Sequence, residues 1–316
     1  MTSAARVSSR WVASNAARIA AARSSPPEPV SRSAGLIVGT PRSSGQANRN
    51  CPIAGRCAIT VRTAFVGGGS GGIGRATAEA LARSGHRVAI AGRHAGPLTA
   101  TAAELSGLTG RPVHPVVADL RDPASAEAAV GEVTGRFGAL DVLVLNAGGP
   151  PPGRVLDVGD GQWLDAFDLL VRGPLRYARL ALPAMAARGF GRVIVVTSTA
   201  VRQPQPDLAA SVVLRAAVTA AAKLLSLEYA DRGVTVNCVA PGPTATARRH
   251  EVLAARARRT GETLAGVEAA DVASVPAGRP GDPAEIAAAV DFLASAAAGF
   301  VNGTVLTVDG GRTETI

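Results

Sequence analysis

A chain of 316 residues, 47 % of them hydrophobic, is long enough for one large α/β domain or two modest ones. Its net charge of +9 is unevenly placed: residues 1–62 hold nine Arg against the single Glu28, and the remainder is close to neutral. That distribution argues against a nucleic-acid partner for the folded part, and the lack of any run of 18 purely apolar residues argues against a membrane span.

Three cysteines, Cys51, Cys57 and Cys238, make no disulfide framework in a chain of this size and point to a reducing, cytoplasmic compartment. Cys51 and Cys57 have no neighbouring Cys or His to complete a metal site, so no metal is expected. Residues 1–58 are rich in Ser, Ala, Arg and Pro and show no sustained apolar period. Their composition resembles an organellar transit peptide, but a disordered extension or translated upstream sequence, with Val61 as the start, is the simpler account. We therefore expect a disordered basic extension over 1–58 and one domain over 59–316.

From residue 62 onward, short apolar runs alternate with helical periodicity. Strands are predicted at 62–67, 87–92, 113–118, 141–146, 191–198, 234–240 and 304–308, and helices at 72–84, 123–136, 174–188, 210–231 and 284–296. Near-continuous apolar strands separated by helices mean a parallel sheet covered on both faces. Right-handed crossovers then give a single Rossmann-type, doubly wound α/β sheet. The apolar helix and final strand between Asp282 and Gly311 would leave a sheet edge that needs covering, so a homodimer or homotetramer is expected.

"GGGSGGIG" (67–74) lies between the first strand and the first helix. Gly68 opens the turn, and Gly72-Ile73-Gly74 lets the backbone approach a phosphate with no Cβ in the way. The helix behind it offers free N–H groups and its positive dipole end to the anion. A glycine-rich linker is the bland alternative, and the flanking strand and helix argue against it. Arg93 ends the second strand, 19 residues after Gly74. A carboxylate at that point reads the ribose 2′-hydroxyl of NAD, whereas an arginine fits the 2′-phosphate of NADP(H), so NADP(H) is preferred over NAD(H). An ordinary solvated arginine is the alternative.

With these motifs in place, residues 62–312 resemble the short-chain dehydrogenase/reductase family, in a branch similar to 3-oxoacyl-acyl-carrier-protein reductases. "GGGSGGIG" is similar to the family's Thr-Gly-x-x-x-Gly-x-Gly turn, with Gly67 in place of Thr. "ADL" (118–120), "LNAG" (145–148) and "VAPGPTAT" (239–246) resemble its adenine, sheet-end and nicotinamide segments, with Leu145 in place of an Asn. The resemblance implies cofactor contacts from Ser70, Asp119, Leu120, Asn146, Ala147, Gly148, Arg215, Pro241, Gly242 and Thr244. It also implies a carbonyl or acyl-carrier-type substrate, held under a mobile lid at 246–274.

The resemblance breaks at the chemistry. Of the family's Asn, Ser, Tyr and Lys, this chain retains the serine as Ser198 and places Leu170, Ser211 and Arg215 at the other three positions. The family's Tyr donates a proton to the carbonyl, and its Lys lowers that phenol's pKa and holds the nicotinamide ribose. An aliphatic hydroxyl does not ionise in a useful range, and a guanidinium stays charged where a lysine could relay protons. Ser198, Ser211 and Arg215 are the candidate catalytic group, able to polarise a carbonyl without a phenol. Tyr177 and Tyr229 lack a Lys four residues on and read as packing or helix-surface residues. His250 in the lid is a remote proton-donor candidate and reads more simply as an exposed helix residue. The lid arginines Arg248, Arg249, Arg256, Arg258 and Arg259 fit either a phosphate or carboxylate ligand or a solvated helix. The sequence thus points to an NADP(H)-linked oxidoreductase with an atypical site. The alternative is a nucleotide-binding sensor or scaffold without catalysis.

Overall fold

The computed structural model describes residues 61–315; the expected extension over 1–58 lies outside the described residues. Seven parallel strands form one sheet: β1 (Thr63–Gly67), β2 (Arg87–Gly92), β3 (Val113–Val117), β4 (Val142–Leu145), β5 (Gly191–Val196), β6 (Val234–Pro241) and β7 (Val305–Val308). Their order is β3-β2-β1-β4-β5-β6-β7. This is the doubly wound architecture expected, with the chain reversing direction across the sheet between β1 and β4.

Most of the strands are short apolar runs rich in β-branched residues and ended by Gly, Pro or a polar residue. β5 and β6 are buried along their whole lengths, as strands covered on both faces must be. Their side chains alternate between two cores. Phe65, Leu143, Val193 and Val236 face one layer, and Val66, Val144, Ile194 and Val239 face the other.

The first layer is built by α3 (Pro123–Phe137), α5 (Gly173–Ala187) and α6 (Ala209–Glu228), the second by α1 (Gly72–Arg83), α2 (Ala95–Thr109) and α9 (Pro283–Ala294). Asp122 caps α3 and Asp282 caps α9, each followed by a proline in the first turn that needs no N–H partner there. α4 (Asp160–Phe167) runs into α5 through a π-helical turn, Asp168–Arg172. The lid consists of α7 (Ala247–Thr260) and α8 (Leu264–Ala273).

Every strand falls close to its sequence-based position. Helices α2, α4, α7 and α8 lie outside the predicted helix spans, and one predicted helix ends early. α2 went unpredicted because Gly96, Pro97 and Gly107 break its apolar period; Pro97 sits in the first turn, where it costs no hydrogen bond. The predicted helix at 210–231 stops at Glu228, and Gly233 at φ 72° turns the chain into β6. α6 has the length and composition of a membrane span, yet Leu214, Val218 and Ala222 pack into the core while Val213, Leu224 and Leu227 stay exposed. β7 is a sheet edge, as expected, with Phe292 of α9 half-exposed and Phe300 fully exposed nearby.

Candidate functional site

A cleft of about 930 Å³ opens at the carboxyl ends of the strands, where ligands bind in open sheets of this topology. Of the site residues inferred from the sequence, Gly68, Ser70, Gly72, Ile73, Arg93, Asp119 and Leu120 line its first half, together with Asn146, Ala147 and Gly148. Ser198, Ser211, Arg215, Pro241, Gly242 and Thr244 line the second half. Gly74 is the exception. It is buried inside α1, where a Cβ would overlap the Gly68 carbonyl, so it allows the helix to close on the turn and does not face the cleft.

The turn itself fits a dinucleotide phosphate. Gly68 and Gly72 have φ of 63° and 52°, conformations that side chains disfavour. The N-terminus of α1 has no side-chain cap, so its first N–H groups face the cleft free. Asn146 donates from Nδ2 to the Gly67 carbonyl at 3.1 Å and holds the turn against the end of β4. Gly67 makes that approach possible, because a Cβ there would lie 2.7 Å from the Asn146 carbonyl oxygen. Arg93 is exposed at the end of β2. Asp119 is gripped by Arg121 through Nε at 3.1 Å and Nη2 at 2.8 Å, and this hydrogen bonding holds its carboxyl below the usual range. Nothing in the sequence had singled out Arg121.

At the other end, α6 brings Ser211 and Arg215 onto one face, one turn apart. The Arg215 guanidinium donates to the Val196 carbonyl at 2.7 Å, to the Ala147 carbonyl at 3.4 Å and to Ser211 Oγ at 3.3 Å. Burial, aided by the nearby charge of Arg248, pulls its pKa down to about 10. The group remains a cation at neutral pH. Ser198 Oγ accepts from the Ala200 N–H at 3.1 Å at the end of β5. Leu170 packs in the core within the π-helical turn and does not reach the cleft.

Neither tyrosine substitutes for the missing phenol. Tyr177 is fully buried, its ring 5.2 Å from that of Phe65. Burial first, then the charges of Asp119 and Asp122, push its hydroxyl up to about 12. Tyr229 ends α6 far along the helix from Ser211. His250 is exposed beside Glu268 at 3.5 Å and does not line the cleft, so its reading as a lid proton donor is set aside.

The lid arginines resolve into separate roles. Arg249 pairs with the buried Asp271 at 2.7 Å, and Arg256 and Arg259 pair with Asp207 at 3.2 and 2.5 Å. These three tie the lid helices to each other and to the loop before α6. Arg248 instead donates to the Pro150 carbonyl across the mouth of the cleft.

The fold and cleft define a dinucleotide-binding α/β protein, and comparison with known proteins narrows the class. The family profile described as enoyl-(acyl carrier protein) reductase matches residues 68–313. An uncharacterized oxidoreductase of Mycobacterium tuberculosis is 37 % identical over 253 residues, 80 % of this chain and 92 % of that protein. A 3-oxoacyl-[acyl-carrier-protein] reductase of Haemophilus influenzae is 34 % identical over 79 % of this chain and 97 % of its own. Among solved structures, a variant of the actinorhodin polyketide ketoreductase with NADPH superposes with a TM-score of 0.78 at 32 % identity. That match covers 81 % of this chain and 98 % of the other. The chain belongs to the short-chain dehydrogenase/reductase family of oxidoreductases.

Proposed function

We propose that this protein is an NADP(H)-linked oxidoreductase of a carbonyl or hydroxyl compound, working through Ser198, Ser211 and Arg215 in place of the usual Tyr and Lys. The observation that carries this reading is the hydrogen-bond state of the two serines. Ser211 Oγ accepts from Arg215 and Ser198 Oγ accepts from Ala200 N–H. With those lone pairs engaged, each hydroxyl keeps its own hydrogen to donate into the cleft. Two O–H donors beside a guanidinium can polarise a carbonyl oxygen and stabilise charge growing on it. A bound nicotinamide supplies hydride chemistry. The chain's own part is to hold the ribose through the remaining Arg215 N–H groups and to orient the carbonyl against the serines.

The pattern supports a slow reductase, because proton donation has no phenol behind it. A nucleotide-binding sensor or scaffold is the second reading, favoured by the one phenol at the cleft, Tyr177, being buried and raised to about 12. Arg93 carries the preference for NADP(H), in a cytoplasmic, reducing setting. Assembly as a homodimer or homotetramer would cover the exposed apolar residues of α6 and α9.

Losing a charge-assisted contact to a phosphate costs about 1.5–3 kcal/mol. Arg93→Asp should therefore weaken NADPH binding about tenfold or more while sparing NADH; equal weakening of both contradicts the assigned role. General acid catalysis contributes roughly 10²–10⁴-fold, so Ser211→Tyr with Arg215→Lys should raise carbonyl reduction above a slow wild type, incompletely because Leu170 remains. A brisk wild type whose activity the double substitution destroys, at unchanged NADPH affinity, would make the serine–arginine pair the evolved working site. Sedimentation of the full chain and of a chain beginning at Val61 should give the same dimer or tetramer. Monomer alone from the full chain overturns the assembly, and a difference between the two chains overturns the independence of residues 1–58.

A further inference from the structure

Most of the cations around the cleft are neutralised by a neighbouring carboxylate. Arg121 has Asp119 at 2.8 Å, Arg249 and Arg312 share Asp271 at 2.7 and 3.3 Å, and Arg256 has Asp207 at 3.2 Å. Arg215 and Arg248 differ. Each donates to a main-chain carbonyl of one loop, Arg215 to Ala147 and Arg248 to Pro150, which brings both guanidinium groups to the same end of the cleft; Arg215 also donates to the Val196 carbonyl and to Ser211 Oγ. Arg215 has no carboxylate within ion-pair distance among the described residues. Arg248 has only Glu251 at 3.4 Å, a largely exposed side chain whose pairing contributes little against solvent screening.

Two partly buried cations with one weak counter-charge leave a positive potential that an anion would relieve. Burial first, and then the charge of Arg248, lowers the affinity of Arg215 for its proton. Arg248 itself lines the cleft. Its guanidinium lies along Gly149, so close that a Cβ there would be 2.9 Å from Nη2 and 3.1 Å from Nε. Glycine at 149 thus lets the group lie against the loop, with Nη2 donating to the Pro150 carbonyl and Nη1 only weakly engaged, 3.4 Å from Glu251. Val252, one turn further along α7, adds an apolar wall to the same cleft, suited to a short carbon chain.

We propose that the substrate carries a carboxylate besides its carbonyl, and that Arg248 pairs with that carboxylate in the field of Arg215. This rests on the reading that the cleft holds NADP(H) with the substrate at its Ser198 end. The rival source of negative charge is the cofactor's own pyrophosphate, and binding measurements separate the two. NADPH is titrated first. Failure of wild type to bind it contradicts the proposed function itself, before any acid is added.

The NADPH-saturated protein is then titrated calorimetrically with 2-oxobutyrate, acetoacetate and levulinate, each against its neutral methyl ester. At least one acid should bind about tenfold tighter than its ester, a preference that shrinks with added salt. Arg248→Gln should remove that preference while changing NADPH affinity by less than about threefold, and Arg248→Lys should restore part of it as a point charge. Acids and esters that bind alike in wild type overturn the proposal without recourse to any variant. So does an Arg248→Gln protein that loses NADPH affinity but keeps the acid preference, since Arg248 would then serve the pyrophosphate.

Discussion

The guanidinium of Arg215 joins the parts of this cleft. From the middle of a core helix it reaches the ends of two strands, donating to Val196 at the end of β5 and to Ala147 just beyond β4. Strand ends expose carbonyls that the sheet no longer pairs, and leaving them unpaired under a closed surface would cost about 1–3 kcal/mol each. A lysine offers one point charge; the planar fork of arginine serves both carbonyls and Ser211 at once. The Ser211–Arg215 pair therefore forms an ordered hydrogen-bonded unit, with the helix register and the family cleft preserved around it.

Around that unit, charge pairing divides the cleft. Asp207 and Asp271 absorb most of the lid's arginines and draw α7 and α8 over the opening. Asp119 is held by Arg121 on the opposite side. Arg93 at one end has no carboxylate partner among the described residues; at the other end Arg215 has none and Arg248 only the exposed Glu251. The uncapped helix N-terminus between them suits an anion such as a phosphate.

Much of this was legible in the sequence. β-branched runs such as "DVLVLN" and "GRVIVVTS" located strands to within a residue or two, because a strand buried on both faces must be apolar throughout. The glycine turn announced the cleft because its geometry excludes side chains. α2 was hidden by its glycines and its early proline. The partners of the lid arginines were also hidden, since Arg256 and Asp207 are 49 residues apart and an ion pair between loop and helix leaves no period to detect. The turn glycines looked alike on paper, yet Gly74 serves packing and Gly72 faces the ligand space. Only the third dimension separates a cluster of five lid arginines into three structural ties, one cation at the cleft mouth and one surface group.

Arg215 clamps two strand ends, and its proposed second role, holding the cofactor, is tested most directly by NADPH titration of wild type beside Arg215→Leu, with the thermal midpoint of each protein recorded. Wild type should bind NADPH. The variant should lose about tenfold or more in affinity and also melt lower, because two strand-end carbonyls lose their donor. Unchanged NADPH affinity in a folded Arg215→Leu protein would contradict the account, leaving the guanidinium a structural group with no part in holding the cofactor.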